Sequence, residues 1–179
     1  MKISNTEIDG LMVIEPNVYK DDRGYFFEYY HALRFQLPDA GQFVQDNEAK
    51  SSKGVLRGLH FQTGIHAQGK LVRVVTGSVY DVAVDVRPDS KTFGKWYGTI
   101  LSGENKKQLW IPRGFAHGYL VLENDTIFCY KCDNYYHKFA EQGIRYDDPA
   151  LSITWPDLGE PYTVSEKDLS LGTLADLAL

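Results

Sequence analysis

Three residues close together in the chain carry complementary chemistry. Arg57 and Lys70 are fixed cations, and His60 between them exchanges protons near neutral pH. The chain as a whole is acidic, with a formal net charge of -5. Cations gathered at one place in an acidic protein suit a small anionic substrate, with His60 beside it as a proton-transfer group. The bland alternative for His60 is a hydrogen-bonded core histidine. His117 follows a Pro112-Arg-Gly114 turn, and Asp81 lies in the alternating run Tyr80–Val86. Asp168 closes Ser165-Glu-Lys-Asp168, which has the form of a capping box ahead of an apolar stretch. From residues alone the cap is the reading preferred for it. Tyr135 and Tyr136 are open to a sheet role, since strands favour tyrosine and the chain has 12.

Two motifs invite chemistry that their context denies. Gly64-Ile-His-Ala-Gln-Gly69-Lys70-Leu71 approaches a phosphate-cradling loop, but Leu71 replaces the hydroxyl needed at magnesium. The loop also leads into a β-rich run, whereas a phosphate loop opens a helix. Cys129 and Cys132 read as half a zinc site or a redox pair, yet no second ligand pair appears. In a strand, positions three apart face opposite ways, so two separate thiols are expected.

The elements that must hold these residues are mostly strands. Between Gly54 and Tyr130, runs rich in Val, Ile, Tyr and Phe alternate with Gly, Asn, Asp and Pro turns. Strands are predicted over 55–62, 71–76, 78–86, 96–101, 107–111, 117–122 and 126–132. That spacing suggests a sandwich, jelly roll or small barrel. In Tyr80–Val86, Val82, Val84 and Val86 fall on one face and Asp81, Ala83 and Asp85 on the other. The second face either lines a polar cavity or is solvated. Helices are expected only at the edges, over 31–36 and 165–179. With 179 residues, 43% of them hydrophobic, the chain reads as one domain over 1–179. Its acidity argues against nucleic acid or an anionic membrane as partner. Without an apolar leader or span, a cytoplasmic location is expected.

Pro112-Arg-Gly-Phe-Ala-His117 resembles the second signature of the cupin superfamily. In the first signature, metal-binding cupins carry an H-x-H pair and a glutamate, whereas this chain has Gly58-Leu-His60-Phe-Gln62. A barrel without a metal is expected, with His60 and His117 keeping a metal reading open. The wider pattern is similar to the RmlC-type dTDP-4-dehydrorhamnose 3,5-epimerases. The segments that carry this likeness are Asp22-Arg-Gly24, Phe43–Asn47, Val55–Gln62, Gln68–Arg73, Asp81–Asp85, Gln108–Pro112, Gly114–Gly118, Asn134-Tyr-Tyr136 and Ser165–Asp168.

The resemblance implies a mainly β, cupin-like antiparallel jelly-roll barrel with short peripheral helices, forming a homodimer and using no cofactor. It implies inversion of C3 and C5 of a dTDP-4-dehydro-6-deoxy-D-glucose substrate. By the same resemblance His60 is the base, Asp168 polarises it in place of capping, Lys70 stabilises the O4 oxyanion, and Tyr136 returns a proton from the other face. Arg57, Gln45 and Asn47 are expected at the diphosphate, and Arg23 and Glu28 in the neighbouring subunit's site. Asp81 and His117 line the pocket. The segments Thr63–Ala67 and His137–Gln142 depart from the family wording. The alternatives are a single-centre epimerase on another 4-keto-6-deoxysugar nucleotide, a silent sugar-nucleotide-binding cupin, or a metal-dependent cupin enzyme.

Overall fold

A computed structural model describes residues 1–177. Its strands, in chain order, are β1 (Lys2–Asn5), β2 (Met12–Glu15), β3 (Tyr19–Asp21), β4 (Gly24–Phe26), β5 (Gln45–Ser51), β6 (Val55–Gln62) and β7 (Lys70–Thr76). They continue with β8 (Ser78–Asp85), β9 (Trp96–Ser102), β10 (Gln108–Ile111), β11 (Phe115–Val121), β12 (Thr126–Cys132), β13 (Glu141–Gly143) and β14 (Thr163–Val164). The first sheet runs β1-β2-β10-β7-β12-β5. The second runs β13-β6-β11-β8-β9, with β14 beside β6, and β3–β4 form a separate hairpin. Every pairing is antiparallel except β14 with β6. This is the expected jelly-roll barrel.

The core follows from strand alternation. Val72 and Val74 of β7, Phe128 of β12, Phe115 and Tyr119 of β11, and Val79 and Ala83 of β8 pack into one cluster between the sheets. Side chains one position along serve other layers. Leu71 joins Trp110, Ile14 and Phe35 outside the first sheet, and Val82, Val84 and Val86 join Ile144 and Leu151 outside the second. Both faces of β8 are therefore buried. The solvated reading of its aspartates fails because the later chain covers the valine face while the aspartate face turns into the barrel.

The strand interiors match expectation closely, and the edges depart from it. Residues 31–36 form a turn, with Arg34 N–H and Phe35 N–H donating to His31 O at 3.0 Å. The C-terminal helix shrinks to α1 (Glu166–Leu169), with a single 3₁₀ turn after it at Leu174–Asp176. Ser165 caps the short helix, and Gly172 and Thr173 separate it from the 3₁₀ turn. Ala178 and Leu179, the end of that expected helix, lie outside the described residues. Among the described residues, no helix is long and apolar enough to cross a membrane.

Candidate active site

The site depends on an irregularity in β6. Arg57 and His60 are three apart and would point to opposite faces of a regular strand. Opposite them, His117 pairs with His60 but Tyr119 pairs with Arg57, so three steps of β6 meet two of β11. That bulge resets the alternation, and both Arg57 and His60 line the same cavity. Glycine makes the crossing feasible. Gly58 has φ +112°, and a Cβ there would sit 2.6 Å from Gly118 Cα. Gly58 N–H donates to Asp168 Oδ2 at 3.1 Å.

The cavity holds about 300 Å³ and is lined by Arg57, His60, Lys70, His117, Tyr130 and Asp168, with Lys167 and Ser165 at α1 among the remaining contacts. His60 Nε2 lies 2.7 Å from Asp168 Oδ1. Asp168 is only 4% exposed. Burial pushes its pKa up, but hydrogen bonds with His60 and Gly58 N–H outweigh burial and hold it below the ordinary carboxylate value. Ser165 Oγ still accepts Asp168 N–H at 3.1 Å. The cap and the dyad thus coexist, because the cap uses the Asp168 backbone and leaves its carboxylate to His60.

A second histidine–carboxylate pair lies beside the first, with His117 Nε2 at 3.0 Å from Asp81 Oδ2. Asp81 is fully buried, and its Oδ1 has no protein donor among the described residues. Lys70 begins β7 on the barrel-facing side, its Nζ 3.4 Å from His60 O. Desolvation lowers the Lys70 pKa, against opposing pulls from Cys132, Asp81 and Glu141. Arg57 donates to Ser51 Oγ through both Nη2, at 3.2 Å, and Nε, at 3.4 Å.

The structure brings His60, Asp168, Lys70, Arg57 and His117 together with Asp81 behind them; Tyr136 stays outside that group. Tyr136 is 51% exposed, its hydroxyl donating to Glu141 Oε2 at 2.8 Å and its N–H to Gln45 Oε1 at 3.0 Å. Two tyrosines line the cavity wall: Tyr119 is 5% exposed and stacked on Phe128, whereas the more accessible of the two is Tyr130, on the inward face of β12 with Phe128 and Cys132. Burial raises its pKa, which keeps the phenol protonated. Sequence reasoning passed over Tyr130 inside an ordinary strand pattern, although two-residue alternation from Phe128 gives it the inward side. Lys167 was also passed over, hidden in the capping sequence. Its Nζ lies 2.7 Å from Glu141 Oε2, so one carboxylate joins Tyr136 and Lys167 at the rim.

The remaining expected residues lie apart from this cavity. Gln45 Nε2 donates to Asn47 Oδ1 at 3.1 Å, and both sit on β5, next to β12. Arg23, at the tip of the β3–β4 hairpin, pairs with Asp21, and Glu28 pairs with Arg34 at 3.0 Å. Cys129 and Cys132 are unpaired. The phosphate-loop lookalike folds into a 3₁₀ turn at Gly64–His66 leading directly to β7, with no helix for an anion to meet. Among the described residues, no three His, Cys, Asp or Glu side chains are grouped to hold a metal ion. His60 and His117 are each engaged with a carboxylate.

A profile of the dTDP-4-dehydrorhamnose 3,5-epimerases matches residues 5–176. The chain belongs to this family. It is 50% identical over 179 residues to the Escherichia coli strain K12 dTDP-4-dehydrorhamnose 3,5-epimerase, covering 99% of this chain and 96% of that one. Among solved structures it resembles a 3,5-epimerase from Legionella pneumophila in complex with dTDP-4-keto-L-rhamnose. There the TM-score is 0.94 at 53% identity, with 98% of this chain and 94% of that one covered. A 3'-monoepimerase from Streptomyces bikiniensis in complex with dTDP-quinovose is also similar, with TM-score 0.88 and 32% identity over 95% of this chain and 86% of that one. The cavity brings two histidine–carboxylate pairs, a lysine and two tyrosines together.

Proposed function

We propose that this chain inverts C3 and C5 of dTDP-4-dehydro-6-deoxy-D-glucose to give dTDP-4-dehydro-β-L-rhamnose, using side chains alone. The observation that carries the reading is the single cavity shared by the His60–Asp168 dyad, Lys70 and Tyr130, in a member of this epimerase family. A C4 ketone acidifies the protons on C3 and C5. His60 takes one of them, and the C–H electron pair moves through the ring onto O4. With Nε2 held by Asp168, Nδ1 is the nitrogen left to accept it. Asp168 stabilises the resulting imidazolium, and the Lys70 ammonium stabilises the O4 enolate, where a charge away from water has most effect. Tyr130 delivers a proton to the same carbon from the other face as the carbonyl reforms. His60 and the tyrosinate then exchange protons with solvent, and the cycle repeats at the second carbon.

Tyr130 takes the donor role that the family resemblance attached to Tyr136, because a donor must reach the ring and Tyr136 is engaged by Glu141 at the rim. Arg57 and Lys167 are the cations for the diphosphate, a guanidinium offering several donors to one anion. Gln45 and Asn47, expected at the diphosphate, sit on β5 outside the lining of this cavity and are assigned instead to the nucleotide end of the substrate. The chain acts as a homodimer in which Arg23 and Glu28 reach the neighbouring site. The hairpin carrying Arg23 also leaves Tyr19, Tyr25 and Phe26 exposed, as expected of a segment that packs against another chain. Unpaired Cys129 and Cys132 suit a reducing cytoplasm.

Incubation with dTDP-4-dehydro-6-deoxy-D-glucose in D₂O tests the reaction. Deuterium at C3 and C5 with an L-configured product supports it. Exchange at one carbon supports the second reading, a single-centre epimerase, which the likeness to the Streptomyces bikiniensis 3'-monoepimerase favours. No exchange refutes both.

A further inference from the structure

We propose that Asp133 is a positioning residue for catalysis, acting through Gly69 to fix where Lys70 presents its ammonium. The inference rests on the reading of Lys70 as the group that stabilises the O4 enolate. Asp133 comes immediately after β12, and its carboxylate is completely buried although it touches none of the cavity. Its Oδ1 accepts Gly69 N–H at 2.6 Å, and its own N–H donates to Gly69 O at 3.1 Å. The residue before Lys70 is thus held from both sides, next to the register pair Cys132–Lys70. Asp133 Oδ2 accepts Gly41 N–H at 3.1 Å, on the segment leading to β5, and Arg113 Nε at 3.1 Å, on the turn leading to His117.

One carboxylate therefore ties together the chain entering β7, the chain entering β5 and the turn before β11. The fit around Gly69 leaves little slack, since a Cβ there would lie 2.4 Å from Trp110 Cη2 and 3.0 Å from Asp133 Oδ2. Trp110 is itself held by donating to Pro38 O at 3.1 Å. In Asp133→Asn, an amide of the same shape cannot accept from Gly69 N–H, Gly41 N–H and Arg113 together without setting donor against donor. The start of β7 must shift, and Lys70 with it. A displacement well under the size of an atom at a preorganised charge is sufficient to slow the chemical step.

The test is a double-mutant cycle on the full chain. It combines Asp133→Asn with Lys70→Met, tracks deuterium wash-in and product formation, and corrects for the folded fraction by thermal melting. Asp133→Asn is expected to lower kcat about ten- to a hundredfold with KM within about threefold. It should also move the alkaline limb of kcat upward as Lys70 becomes better solvated. In the Lys70→Met background the same substitution should change wash-in less than about threefold. An equal factor in both backgrounds, or an unmoved alkaline limb, reduces Asp133 to a purely structural role and overturns the proposal. Wild-type kcat in Lys70→Met alone overturns instead the role given to Lys70, so the two failures are distinguishable. If Asp133→Asn does not fold, Arg113→Gln removes one donor to the carboxylate and spares the Gly69 bonds. It should show both signatures at smaller amplitude, and their absence counts against the proposal in the same way.

Discussion

Replacing Asp168 by Asn tests the dyad while keeping the side chain's shape. The carboxylate bonds His60 Nε2 at 2.7 Å through Oδ1 and accepts Gly58 N–H at 3.1 Å through Oδ2. An Asn must give its one oxygen to a single partner. If the oxygen faces Gly58, the amide N–H₂ faces His60, forces its proton onto Nδ1, and blocks the nitrogen that takes the substrate proton. If the oxygen faces His60, two donors collide at Gly58. Losing the charge also removes a charge-assisted hydrogen bond to the imidazolium, about 1.5–3 kcal/mol, or roughly 10- to 150-fold in rate. With the tautomer penalty added, kcat should fall about 10²- to 10⁴-fold, the range in which a general base contributes. Deuterium wash-in at C3 and C5 should slow by the same factor. A kcat within threefold of wild type would refute the dyad.

Other perturbations separate the remaining roles. Lys70 acts as a cation and burial lowers its pKa, so activity should fall as pH rises through a value below the ordinary 10.5, and Lys70→Met should abolish that limb of the pH profile. Arg57→Met and Lys167→Met should each weaken dTDP binding about 10- to 150-fold by calorimetry, with a smaller change in kcat, if both meet the diphosphate. Unchanged affinity would remove that variant's residue from the anion site. Away from the cavity, buried Asp85 accepts from Arg87 Nη2 at 2.7 Å and from Ser90 and Thr92 hydroxyls at 2.6 Å. Burial opposes its ionisation, but these bonds hold its pKa below the ordinary value. Its stabilising contribution is therefore complete above the unfolded carboxylate pKa, about 3.9, and lost as pH falls through the lower folded value. Asp85→Ala should cost about 3 kcal/mol at neutral pH and less in acid, measured by denaturant melts.

Much of the barrel was legible because its central strands carry the β-branched, two-residue pattern that burial between layers demands. The strand 45–51 was missed for the converse reason: Gln45–Ser51 is polar at every position but Ala49 and lies at a sheet edge, where no apolar face is required. The expected C-terminal helix began at a genuine cap, Ser165, but overran Gly172 and Thr173. At the site, the types of Arg57, His60 and Lys70 announced an anion and a proton transfer. Their shared direction could not be read, since it depends on a bulge set by the close approach of Gly58 to Gly118. Asp168 satisfied two patterns at once, and only the position of His60 across 108 residues of sequence decides where its carboxylate turns. Tyr130 carried no motif, and Lys167 was masked by the capping motif that contains it. The first required strand parity to be traced across β12, and the second required α1 to be laid over the cavity.

His60 and Tyr130 are assigned to opposite faces of the sugar ring, so the decisive measurement compares Tyr130→Phe with Tyr136→Phe in D₂O. Tyr130→Phe should still wash deuterium into the substrate through His60 while formation of the L-configured product collapses. Tyr136→Phe should continue to invert. Undiminished inversion by Tyr130→Phe, with inversion lost in Tyr136→Phe, would contradict the two-faced assignment.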